Sequence, residues 1–162
     1  MKVIGAKINT PVVTRSKPGI PDIRHINAQD LVASIAEFTK QYLGDVVEIV
    51  GPPDRLYGSL AISPTILARA LKATVANFCQ DGPAKLIFSE MYNEVHLTFE
   101  TSAMGDIDRM AEVVKEWKRV GFRVLTYGLV LTMAIPYNDA LSFVLRQTKP
   151  SAFKHELKNA YF

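Results

Sequence analysis

The sequence has few of the residues that build disulfides or metal sites. Its one cysteine, Cys79, excludes an intramolecular disulfide. The histidines His25, His96 and His155 lie far apart in the chain and show no zinc-ligand spacing. A chain of 162 residues buries about two-thirds of the surface that its unfolded form exposes, so it needs neither kind of cross-link. We therefore expect a domain that an apolar core stabilises.

Long apolar runs and a strong charge of one sign are also missing. No uncharged apolar run reaches the length of about 18 residues that suggests a transmembrane helix, and residues 1–5 lack the apolar core of a secretory signal. The 19 basic and 16 acidic side chains give a net charge of +3, which does not indicate a nucleic-acid partner. We expect a cytoplasmic protein that binds neither membrane nor nucleic acid.

Three prolines among residues 1–26 favour an extended arm with one short strand. Helical periodicity and capping residues then predict a helix from Asn27 to about Leu43, a second from the Ser63 cap to residue 81, and a third over residues 105–120. Runs of β-branched and aromatic residues separate these helices. They predict strands over residues 46–50, 55–61, 85–90, 94–100, 122–127 and 129–135.

The order of these elements favours one layer of helices over one sheet. The predicted fold is a two-layer α/β (α+β) sandwich, in which about three helices cover one face of a mixed sheet. We expect a single domain over residues 1–162, made of an arm (1–26), a core (27–136) and a C-terminal extension (137–162). In the extension, residues 141–145 fit either a helix or a strand, and Ser151 is predicted to cap a last helical turn. That turn would carry Phe153, Leu157 and Tyr161 at helical spacing.

Four side chains have interpretations of their own. His25 is either a phosphoryl acceptor or a loop histidine just outside a helix cap. His96 alternates with apolar residues and is predicted to face water or a partner on the open side of the sheet. Cys79 and Trp117 lie on or beside apolar stripes, which predicts an inert buried thiol and a core indole.

The core resembles the catalytic ATP-binding domain of sensor histidine kinases, of the Bergerat family. The segment from Ser63 to Leu67, with the sequence SPTIL, opens a helix where that family has an Asp-Pro-Thr-like start. Asn77 follows near the end of the same helix, in the register of the family's metal-binding asparagine. Residues 27–31 and 129–136 resemble its lead-in to the first helix and its closing strand.

The same comparison shows departures at the nucleotide site. Ala73 stands where the family commonly has a first asparagine, and the run ETSAM from Glu100 replaces Asp-x-Gly-x-Gly. Side chains at Ser102 and Met104 then fill space that glycines leave open, and the long lid is missing from the sequence. The resemblance leaves Asn77 and Glu100 as remnants of the magnesium and adenine contacts. Asn77 is alternatively a polar residue on the outer face of its helix.

These features predict a degenerate histidine-kinase-like domain that acts in bacterial signalling, is non-catalytic or only weakly nucleotide-binding, and has no resident cofactor. It would work through protein contacts or phosphotransfer, with a response regulator as partner and with dimerisation through its arm. A second hypothesis keeps catalysis: a kinase-like ATPase with a shortened lid, in which Asn77 holds Mg²⁺ and Glu100 reads the adenine of ATP. A third is an unrelated small α/β binding or structural module.

Overall fold

A computed structural model describes residues 23–50, 56, 58–79, 84–102, 107–138 and 147–162. Four helices and seven strands form its regular structure. The helices are α1 (Ala28–Tyr42), α2 (Pro64–Phe78), α3 (Ile107–Val120) and α4 (Pro150–Tyr161). The strands are β1 (Arg24–Asn27), β2 (Val47–Val50), β3 (Ser59–Ile62), β4 (Ala84–Met91), β5 (Glu94–Thr101), β6 (Arg123–Tyr127) and β7 (Val130–Pro136).

The main sheet has five strands in the order β2-β4-β5-β7-β6. β2 runs parallel to β4, and every other neighbouring pair is antiparallel. The mixed sheet and the two-layer arrangement of helices and strands are therefore confirmed. A second sheet, which the sequence did not predict, is the antiparallel ribbon of β1 and β3. His25 lies in this ribbon opposite Ala61, so its interpretation as a loop histidine is wrong.

The predicted caps fix the starts of α1 and α2. The Asn27 Oδ1 atom accepts a hydrogen bond from the Asp30 amide at 2.8 Å. The Ser63 Oγ atom accepts one from the Ile66 amide at 3.3 Å, and Pro64 occupies the first turn, where its missing N–H costs no hydrogen bond. Both caps are confirmed, because polar side chains directly before an apolar stripe satisfy amides that have no partner inside the helix.

The hairpins end in two-residue turns that match the local sequence. Tyr92 and Asn93 join β4 to β5 with φ angles of 53° and 60°, the conformation of a type I′ turn. Between β6 and β7, Gly128 has a φ of 60° and Leu129 does not have a positive φ. Glycine at the first turn position is the signature of a type II′ turn, which suits the twist of the strands.

The core lies between the helices and one face of the sheet. Along β5, Val95, Leu97 and Phe99 are buried against the helices, and the residues between them form the other face, which is called uncovered below because none of the described helices packs on it. Trp117 of α3 is fully buried, as predicted, with its ring centre 6.4 Å from that of Phe99. Since α3 also packs along α2, the Trp117 side chain connects both helices to the sheet.

The C-terminal extension forms a longer helix than the sequence predicted. α4 has 12 residues and packs against α1 and α2. Its buried side chains are the predicted Phe153, Leu157 and Tyr161. The prediction that Ser151 caps the helix is wrong, because α4 begins at Pro150 after Lys149, whose side chain makes no cap hydrogen bond. The predictions for residues 1–22 and 141–145 lie outside the described residues.

Within the described ranges, none of the helices combines the length and the hydropathy needed to cross a membrane.

Candidate functional site

A cleft lies at the end of the sheet where β5 finishes. Its volume is about 340 Å³, and it includes the predicted site residue Glu100. The residues that line it are Glu48, Ala84, Lys85, Glu100, Thr101 and Ser102. The pairing of Ala84 with Thr101 places two buried residues on the helix side of this sheet end.

Charged residues alternate across the uncovered face beside this cleft. Lys85 of β4 pairs with Glu48 of β2 on one side and with Glu100 of β5 on the other. Cross-strand partners lie on one face of a sheet, so Lys85 has an acidic residue on each of its two neighbouring strands. The cleft therefore has an acidic excess, which favours a cationic group over an anionic one.

Asn77 and Glu100 lie on opposite sides of the sheet. Asn77 lies in α2, on the helix side of the sheet, and its Nδ2 atom donates to the Ala73 carbonyl at 2.8 Å. The exposed Glu100 alternates with the buried Phe99 and Thr101, so its side chain lies on the uncovered face. The sheet separates the two side chains. As remnants of the magnesium and adenine contacts, Asn77 and Glu100 stay a prediction.

The residue at the end of β5 that does point toward the helices is Thr101. Its side chain is buried, and its amide donates to the Leu129 carbonyl at 3.0 Å. Aligning the Asp-x-Gly-x-Gly pattern to start at Thr101 places Gly105 at the second glycine position and Ala103 at the first. The sequence analysis missed this register. The alternation of apolar residues in β5 was the signal that could have found it, since it already assigned Glu100 to the other face.

The buried thiol of Cys79, at the end of α2, is unreactive. Cys79 is buried, and the loss of solvation raises its pKa to about 12. A thiol with such a pKa is protonated at neutral pH and is a poor nucleophile. This agrees with its prediction as an inert core residue.

A second polar cluster, formed by Glu94, His96 and Arg123, lies on the uncovered face. The Arg123 guanidinium binds the Glu94 carboxylate with two hydrogen bonds, of 2.7 and 3.0 Å. The His96 Nε2 atom lies 3.3 Å from the same carboxylate. The hydrogen bond from Arg123, with a smaller contribution from His96, lowers the Glu94 pKa against the opposing effect of desolvation. His96 lies on the predicted face, bound to a neighbouring carboxylate.

The replacement Arg123→Gln is expected to raise the Glu94 pKa toward its ordinary value. Because the folded state lowers this pKa, the ion pair stabilises the protein above the pKa of the unfolded chain and loses its effect as the pH falls through the folded value. A pH titration of the Glu94 carboxyl by NMR measures the change. Arg119→Gln, which removes the partner of Glu116, is the control and should leave the Glu94 titration unchanged. An unchanged Glu94 pKa in Arg123→Gln would contradict the assignment.

Across the described ranges, no group of three or more histidine, cysteine, aspartate or glutamate side chains could hold a metal ion. Two groups of acidic residues were described above: Glu48 and Glu100 at the cleft, with Lys85 on the strand between them, and Glu94, which pairs with Arg123.

Solved structures of histidine kinases are among those that share this fold. The nucleotide-free catalytic domain of histidine kinase ThkA matches with a TM-score of 0.51 at 14% sequence identity, over 72% of this chain and 97% of that domain. The cytoplasmic segment of histidine kinase QseC matches with a TM-score of 0.50 at 11% identity, over 77% of this chain and 85% of that segment. No protein-family model matches the sequence, and neither does any curated protein. The chain therefore has the fold of histidine kinase catalytic domains, as the resemblance predicts.

Proposed function

We propose that this chain is a histidine-kinase-like signalling domain that has lost nucleotide turnover and acts through protein contacts in bacterial signalling. The fold supports the kinase-like part of this proposal. The observations that carry the loss of turnover are in the register that points toward the helices, where Thr101 and Ala103 stand in place of the family's aspartate and first glycine. A fold alone does not define an activity, so the proposal depends on these site residues.

The charge of the cleft also supports this proposal. A nucleoside triphosphate needs cations or free backbone amides around its phosphates. The described cleft instead offers Glu48 and Glu100 around a single Lys85. The two carboxylates would repel phosphate oxygens, and Lys85 is the one basic residue among those that line the described cleft.

The side chains at glycine positions give a further reason. In either register of the motif, the sequence places at least one Cβ where the family has a glycine, at Ser102 and Met104 or at Ala103. Glycine at such positions lets the backbone approach a ligand closely, and any side chain removes that space. A bound adenine would therefore contact side-chain atoms at positions where the family has only glycine backbone.

A thermal-shift titration with ATP and Mg²⁺ tests the loss of nucleotide binding. A ligand that binds only the folded state raises Tm by mass action, so we expect no shift at millimolar nucleotide. A histidine kinase catalytic domain that binds ATP, measured in parallel, is the positive control and should show a shift. A concentration-dependent rise in the Tm of this chain that Asn77→Ala abolishes would instead support the ATPase with a shortened lid.

Direct contact with a response regulator is a better proposal than phosphotransfer from this chain. The candidate phosphoryl acceptor, His25, is half-buried in β1, and its carbonyl accepts the Thr148 amide at 2.6 Å. Its backbone is thus held between β3 and the segment that leads into α4. Calorimetric titration with receiver domains from the source cell should show saturable binding without ATP. If none of these receiver domains bound, a response regulator as partner would be contradicted.

A further inference from the structure

The edge strand β6 is exposed along almost its whole length. In the part of the chain that the structure describes, β6 ends the five-stranded sheet and pairs with β7 alone. The exposed fractions of Leu125 and Tyr127 are 62% and 86%. An exposed, apolar edge strand is a template for pairing with another strand.

β6 also lacks the features that usually protect such an edge. Its sequence, RVLTY, contains no proline or lysine, and its pairing with β7 is continuous, without a bulge. Arg123 is its only charged residue, and the guanidinium binds Glu94 of β5, on the far side of β7. The charge is thus held over the sheet and away from the open edge. The other edge strand, β2, is one residue shorter and carries the exposed Glu48.

The turn fixes which backbone groups of β6 point outward. In a two-residue hairpin the residues that flank the turn form a hydrogen-bonded pair, here Tyr127 and Val130. Hydrogen-bonded pairs alternate along the strands, so Leu125 and Arg123 also bond to β7. The N–H and C=O groups of Val124 and Thr126 therefore point to the open edge.

We propose that two copies of this chain dimerise by antiparallel pairing of β6 with β6, about a two-fold axis at Leu125. In this register Val124 of each copy faces Thr126 of the other, and these are the residues whose backbone groups point outward. The result is one continuous sheet through both copies, with an isologous interface. This proposal extends the proposed function by naming one protein contact, and it does not depend on nucleotide binding.

The side chains complement one another about that axis. Leu125 meets its own copy in a pair without mutual hydrogen bonds, where side chains come closest. Arg123 meets Tyr127 of the other copy, so an aromatic ring lies beside the aliphatic part of an arginine side chain and no like charges oppose each other. On the helix side, Val124 meets Thr126, a pair of β-branched residues suited to a sheet.

Because position 125 lies on the two-fold axis, a charged residue there faces its own copy in the dimer. Two variants of opposite charge therefore test the proposed pairing. By sedimentation velocity on the full chain, we expect a dimer for the wild type and monomers for Leu125→Lys and for Leu125→Glu, since each places like charges opposite each other. Mixing the two variants should restore a dimer. Met91→Lys, at another half-exposed apolar residue of the sheet, is the matched control and should stay dimeric.

A second variant separates strand pairing from simple apolar contact. Thr126→Pro removes an N–H that points to the open edge, so the monomer keeps its bonds to β7 and the dimer loses two ladder hydrogen bonds, one donated by each copy. We expect this variant to be a folded monomer by circular dichroism and sedimentation. A monomeric wild type would overturn the proposal, as would a Leu125→Lys variant that remains dimeric or a mixture of the two charge variants that remains monomeric. ATP titration of the Leu125→Lys monomer then tests the proposed function separately.

Discussion

Trp117→Ala is expected to lower the free energy of unfolding by about 3–5 kcal/mol, the range for removing a large buried aromatic side chain. Trp117 is fully buried and packs edge to face against Phe122, with ring centres 5.2 Å apart. Its Nε1–H donates to the Thr74 hydroxyl at 2.7 Å, and that hydroxyl donates in turn to the Ala70 carbonyl at 2.7 Å. Urea unfolding followed by circular dichroism measures the loss. Lys118→Ala, at the next and exposed position of α3, is the control and should change stability by less than about 0.5 kcal/mol.

Thr74→Val isolates the hydrogen bond in case Trp117→Ala does not fold. Valine has nearly the shape of threonine but leaves the Trp117 N–H without its acceptor in the core, which costs about 1–3 kcal/mol. Thr74→Ser keeps the hydroxyl and should retain the hydrogen bond. If Thr74→Val proved as stable as the wild type, the buried chain from Trp117 to Ala70 would have no role in stability.

Local patterns predicted most of the secondary structure because each pattern has a local physical cause. The alternation along residues 94–100 predicted a strand with one solvent-exposed face. The caps at Asn27 and Ser63 predicted the starts of two helices. The β1–β3 ribbon was not predicted. Its strands pair over a separation of more than 30 residues, and β1 has only four residues, too few for a clear periodic signal.

The candidate site was harder to predict than the fold. A motif comparison matches residue types to positions, whereas a binding site depends on the direction in which each side chain points. Glu100 is chemically closer to aspartate than Thr101, so the motif was aligned to it, but a shift of one residue along a strand moves a side chain to the other face of the sheet. The apolar stripe of β5 carried the information that decides the register. Side-chain chemistry and strand periodicity therefore have to agree before a strand residue is assigned to a site.

Gly58→Ala is expected to destabilise the fold through both the backbone and the packing. Gly58 has a φ of 106°, and its carbonyl accepts the Ala28 amide at 2.9 Å at the start of α1. A Cβ there would lie 2.6 Å from the Cγ atom of Tyr137. Two hydrogen bonds hold Tyr137 in this position, because its hydroxyl donates to Glu90 and its amide donates to the Asn93 carbonyl, so a shift of the ring would disturb them. We expect a loss of about 1–3 kcal/mol from the backbone conformation and about 1–3 kcal/mol more from the clash.

Gly121→Ala separates the two contributions, since Gly121 has almost the same φ, 111°, but its added Cβ would meet only the end of the Ile135 side chain, at 3.7 Å. This variant should show the backbone cost alone. Chemical denaturation of both variants gives the cost of the clash as the difference between them. Equal stabilities of the two variants would mean that Tyr137 moves aside freely. The ring would then not hold the start of β3 in place. A larger loss in Gly58→Ala would show that close contact between Gly58 and Tyr137 fixes the position of β3, and with it the start of α1.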